Sequence, residues 1–145
     1  MSTFVKGSIA WGLLFLWMVV IFTGSSQTQL DSPGLFQRLL GDELPQITDF
    51  LAQNDFWIRK VGHGFVYFIL TLLAYWAFSK YSPYYVSGRP LLWAVAFSVI
   101  YAISDEYHQT LVPGRHGVYT DVIIDSIGVA MAALLIYWFR RRVSE

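Results

Sequence analysis

The sequence contains no cysteine, which excludes disulfides, thiolate metal sites and cysteine nucleophiles. It is also poor in charge. Only 14% of its 145 residues are Asp, Glu, Lys or Arg, against about 25% in soluble domains. That shortage argues against a water-soluble globule, and a hydrophobic content of 55% argues against disorder. Neither sign of charge dominates. Ten lysines and arginines balance ten aspartates and glutamates, so there is no general basic field to attract nucleic acid. Internal repeats and low-complexity segments are absent. So are the alternating ten-residue strands of a membrane barrel and the wide amphipathic stripe of a soluble helical bundle. The length allows one domain, residues 1–145.

What the sequence does contain is four apolar runs, at about residues 9–24, 61–78, 90–107 and 121–139. Each approaches the roughly 20 residues needed to cross about 30 Å of hydrocarbon. In lipid the backbone must hydrogen-bond to itself, so these runs are helices. The expected fold is all-α, a four-transmembrane-helix bundle. The apolar part of the third run ends at Ile103. To span, its helix must continue through Ser104, Asp105, Glu106 and Tyr107, which carries two acids into a helix near the membrane boundary. The first run is read as a retained span and not a cleaved signal, because its apolar core is long and no A-x-A site follows. The loop 25–60 is too long for a bare connector. Ser32-Pro33 starts a short helix with Leu35, Phe36, Leu39 and Leu40 on one face and Gly41 as its stop. A second is expected at about 44–53, with Ile47, Phe50 and Leu51 apolar. Both suit amphipathic helices lying on the membrane surface or capping the bundle.

Four spans place both termini and the middle loop on one side. That side carries Lys6, Lys80, Arg89, Arg140, Arg141 and Arg142, and the other carries Arg38, Arg59, Lys60 and Arg115. The positive-inside rule then puts both termini in the cytoplasm and the loop 25–60 outside. Trp11, Trp57, Trp76, Trp93 and Trp138 fall near span ends, where interface aromatics belong.

On this topology the ionisable residues collect at the outer end, all three histidines (His63, His108, His116) among them. Tyr101, Asp105, His108 and Gln109 share one stripe of the third run. Lys60, His63 and Tyr67 line up on the second, and Asp121 and Asp125 lie one turn apart on the fourth, with Gly128 below them. A carboxylate facing lipid is expensive, so these faces are expected to turn inward. Against this stands the plainer reading that Asp105, Glu106, Lys60 and Arg115 are interface residues reaching water. Asp125 and His63, inside their runs, fit that reading less well.

Three blocks carry a family likeness: Ser25-Ser26-Gln27 after the first run, Lys60, His63 and Tyr67 entering the second, and the long block from Ser104 to Gly128 containing S-D-E-Y-H-Q, P-G-R and D-x-x-x-D-x-x-G. In these the chain resembles the VanZ-like family of small four-span bacterial membrane proteins. It departs from the usual pattern at Arg59, where an acid is common, and at Asp125, where asparagine is common. The resemblance implies a bacterial cytoplasmic (inner) membrane location, envelope biology and an outward-facing site. The family's founding member is associated with low-level resistance to teicoplanin, a glycopeptide with a fatty tail. No reaction comes with the resemblance.

Three classes of function compete. The first is a pocket for a lipid headgroup, a lipid-linked envelope precursor or a lipoglycopeptide, with Lys60, His63, Asp105, Glu106, His108, Gln109, Arg115, Asp121 and Asp125 as candidate binding residues. Lys60 and Arg115 would hold phosphate or carboxylate. The second is an enzyme with His108, Asp105 and Glu106 as candidate acid–base groups, although no G-x-S-x-G elbow is present. In a metal-assisted version His63, His108 and Asp121 or Asp125 would be ligands, but no H-x-x-x-H or H-E-x-x-H pair occurs. No cofactor is expected. Transport comes third, because the polar groups sit at one end and not at mid-membrane. Self-association into a homo-oligomer stays open: Gly12 and Gly128 permit close helix approach, yet neither lies in a G-x-x-x-G pair.

Overall fold

The apolar runs do form helices, and every regular element among the described residues is α. The computed structural model describes residues 3–27, 45–81, 89–115 and 117–143. The helix expected near 32–40, and His116, lie outside the described residues. In chain order the helices are α1 (Thr3–Ser25), α2 (Pro45–Tyr81), α3 (Pro90–Leu111) and α4 (Tyr119–Val143).

Helix α1 has 23 residues with Lys6 as its single charge, and at 1.5 Å per residue it is about 34 Å long. Helix α2 corrects the expected layout. The short helix expected at 44–53 is not separate from the second run: one rod of 37 residues continues to Tyr81. Residues 54–60 hold neither glycine nor proline to break it. Arg59 also pairs with Asp55 one turn back, at 3.0 Å, which supports helix where a linker was expected. At roughly 55 Å α2 exceeds the hydrocarbon thickness, and all its charges except Lys80 fall in its first half.

Helix α3 starts with Pro90 at its first turn, where the missing N–H costs nothing. It ends at Val112, whose N–H returns to the Gln109 carbonyl. Helix α4 carries Asp121 in its first turn and Arg140, Arg141 and Arg142 in its last, the charge order that the helix dipole favours. Three helices, α1, α2 and α4, are long and apolar enough to cross a membrane. Four had been expected; α3 has the length, but Asp105 and Glu106 in its last turns dilute its apolar character.

Helix α2 is the centre of the assembly, packing on α4 most extensively and on α1 and α3 as well. The contact faces are built of small residues, including Ala74, Ala77, Ala94, Ala102 and Ala132, around Leu14, Leu70 and Val129. Small side chains let helix backbones approach in lipid, where no hydrophobic force drives them together. Cross-helix bonds fix the middle of α1: Trp17 Nε1 donates to the Val66 carbonyl at 3.1 Å, and the Tyr101 hydroxyl donates to the Met18 carbonyl at 2.8 Å. Large apolar side chains such as Phe15, Leu16, Ile100, Ile127, Met131 and Leu134 point outward, as lipid contact requires and water would penalise.

Candidate binding cavity

The polar end is assembled from links between helices. Asp105 and Gln109 lie one turn apart on the inner face of α3, and both are buried. Asp105 Oδ2 accepts the Ser25 hydroxyl from the end of α1 at 2.8 Å and the Gln109 side-chain amide at 3.0 Å. Lys60 of α2 pairs with Asp121 of α4 and also sits 5.5 Å from the centre of the Phe56 ring, a cation–π distance. One turn deeper, His63 Nδ1 faces Asp125 Oδ1 at 3.7 Å, beyond hydrogen-bond length. Asp125 is only 1% exposed.

The connection from α3 to α4 is a turn with proline second and glycine third. Arg115 N–H bonds back to the Val112 carbonyl at 3.1 Å, and Gly114 has φ 81°. That pattern matches a type II turn, whose third position favours glycine. The chain then folds over Glu106, whose carboxylate accepts the Val118 N–H. Gly117 allows this, because a Cβ there would meet the Thr110 side chain and the Glu106 backbone. Arg115 reaches back to α1: its Nη1 donates to the carbonyls of Gly24, Ser25 and Gln27 at 3.4, 3.0 and 3.1 Å. Those include carbonyls at a helix end that lack partners within the helix, and a cation suits that end of the dipole.

Between these links lies a cavity of about 650 Å³, walled by α1, α2, Asp105 of α3 and the Gly114-Arg115 turn. Of the nine expected binding residues, His63, Asp105 and Arg115 line it. The other six do not. Glu106, Gln109, Asp121 and Asp125 serve the links just described. The His108 ring lies tilted against Phe22 with ring centres 4.3 Å apart, and no bond joins it to Asp105 among the described residues. Lys60 lines a different hollow, an apolar groove of about 520 Å³ between α2 and α4.

The wall adds four residues outside the nine: Ser25, Gln27 and Tyr67, which belong to the family blocks, and Arg59. Arg59 precedes His63 by four residues, about 40° from it around the helix, and Lys60 precedes it by three, about 60° to the other side, where it pairs with Asp121 of α4; spacing alone does not choose between the two. No three His, Asp or Glu residues gather to hold a metal ion among the described residues, so the proposed set of His63, His108 and Asp121 or Asp125 is not assembled.

Apolar rods with outward apolar side chains, joined by polar links at one end, define a multi-pass helical membrane protein. The profile of the VanZ/LLP1 family matches residues 10–140, and the chain belongs to that family. No curated protein and no solved structure matches it.

Proposed function

We propose that this protein spans the bacterial cytoplasmic membrane four times and binds the polar head of a lipid, or of a lipid-linked envelope precursor, in the cavity at its outer end. One observation carries the reading: the cavity joins Arg59, His63 and Arg115 to an apolar wall of Val20, Ile21 and Val66. A cationic wall suits phosphate or carboxylate, and apolar flank beside it suits the chain attached to such a head. A fatty-tailed glycopeptide has the same two parts. Arg115 is a poor probe of binding, because its Nη1 already holds the end of α1. Arg59 is the better one: its side chain is 55% exposed, with one nitrogen on Asp55.

The test is a titration of the purified full-length protein in neutral detergent with phosphatidylethanolamine and phosphatidylglycerol. Hydrogen bonds to charged groups contribute about 1.5–3 kcal/mol, so Arg59→Ala should weaken binding roughly tenfold or more. Gly62 lines the cavity, and a Cβ there would meet nothing within 4 Å. Gly62→Leu should therefore fill the cavity, keep the fold and abolish binding. Unchanged affinity in both variants, with unfolding temperatures equal to the parent, overturns the reading.

Orientation has its own check. Tyr107 and Val143 are both well exposed, and there is no native thiol to interfere. In intact cells an impermeant maleimide should label Tyr107→Cys and miss Val143→Cys; the reverse pattern inverts the topology.

A further inference from the structure

We infer that the cavity selects a zwitterionic head, an N–H-bearing ammonium joined by a short link to a phosphate, with Asp105 and Tyr67 receiving the ammonium and Arg59 the phosphate. The inference rests on the headgroup reading above and specifies its chemistry.

Asp105 is 5% exposed. Its Oδ2 is fully engaged by Ser25 and Gln109, yet its Oδ1 is buried with no hydrogen-bond partner, and so is the Tyr67 hydroxyl. Both residues line the cavity. Among the described residues, no lysine or arginine forms an ion pair with Asp105: the pairs present are Arg59 with Asp55, Lys60 with Asp121 and His63 with Asp125. A buried carboxylate oxygen without a partner is costly. The Tyr67 hydroxyl lies near Asp105 but makes no hydrogen bond to it, so a donor that enters through the cavity can meet both groups, and a primary ammonium brings three N–H groups.

One cation of the wall, Arg59, stands apart from this spot. Arg59 is eight residues before Tyr67 on α2, roughly 12 Å of helix rise, and its exposed guanidinium retains N–H groups beyond the one held by Asp55. The wall therefore offers a positive group at one level and a negative one at another. An anionic head with no cation leaves Asp105 unanswered. A quaternary ammonium supplies the charge but has no N–H to donate.

The test compares phosphatidylethanolamine, its N,N-dimethyl derivative and phosphatidylcholine, titrated against the full-length protein in neutral detergent, with soluble phosphoethanolamine as competitor. Affinity should fall with each N–H lost, at least tenfold from phosphatidylethanolamine to phosphatidylcholine. Tyr67→Phe, which removes only the hydroxyl, should narrow that ratio severalfold, and Asp105→Asn should erase it. Should Asp105→Asn not fold, Tyr67→Phe carries the comparison. Competition by phosphoethanolamine at the lipid's own affinity supports the inference with a free zwitterion as ligand. No competition alongside lipid binding supports it with the membrane as source. Phosphatidylethanolamine and phosphatidylcholine binding within twofold, both still blocked by Gly62→Leu, overturns the zwitterion inference and leaves the headgroup reading standing. Binding of every lipid untouched by Gly62→Leu and Arg59→Ala removes both.

Discussion

Replacing Gly128 with leucine is expected to force α2 and α4 apart and lower the unfolding temperature in detergent by about 10 °C or more. Gly128 is buried on α4, and a Cβ placed there would overlap the carbonyl of Gly64 on α2. A Cβ on Gly64 would lie 3.4 Å from the Ile124 carbonyl, an ordinary contact, so the tight point of the crossing is Gly128. Extra methylenes in a well-packed core cost about 1–3 kcal/mol. Here the obstacle is backbone, which has no alternative rotamer, so the cost falls at or above the top of that range, among the exceptional single substitutions. For a chain near this length each kcal/mol is worth roughly 2–4 °C. Gly12→Leu is the matched control: Gly12 faces outward, and a Cβ there meets nothing within 4 Å, so its unfolding temperature should stay within about 2 °C of the parent. A Gly128→Leu protein as stable as that control would mean that α2 and α4 do not cross at these glycines.

The crossing also accounts for what the sequence did and did not reveal. The helices were legible because lipid leaves an apolar run few other structures. Their ends were less so: residues 54–60 are polar enough to read as a linker, and only the Asp55–Arg59 pair and the absence of breakers mark them as helix. The inward turn of Asp105 and Gln109 followed from their spacing of four. Gly64 gave no such sign, because its partner lies far along the chain on another helix and the contact belongs to no local motif. The polar residues posed a deeper ambiguity. A buried charge costs so much that it marks either a ligand site or an internal pair, and both solutions use the same residue types. Composition and spacing show the convergence at one end without dividing it. Contact between helices divides it in part: Lys60, Glu106, Gln109, Asp121 and Asp125 serve links, Arg59 and Tyr67 line the cavity, and His63, Asp105 and Arg115 do both.

The pair between Lys60 and Asp121 should show its structural role as a large coupling. Their side chains are 19% and 14% exposed, so neither charge is well hydrated once its partner is gone. Breaking a fully buried pair costs about 3–5 kcal/mol; at this partial exposure each single substitution should cost about 2–4 kcal/mol. The two losses are not equivalent. Lys60→Met leaves Asp121 in the first turn of α4, where the helix dipole still favours a carboxylate and the Thr120 hydroxyl lies 3.4 Å away. Asp121→Leu leaves an ammonium facing the positive end of the same dipole, with the Phe56 ring as its remaining partner among the described residues, so it should be the more damaging. Replacing both together removes the unpaired charge along with the pair, and an apolar substitute for a buried ion pair is often close to neutral. The double variant should therefore be more stable than either single one, with a coupling of roughly 2–3 kcal/mol between the sites. Chemical or thermal unfolding of the four proteins in one detergent measures it. If the single losses simply add in the double variant, the ion pair contributes nothing to the α2–α4 contact.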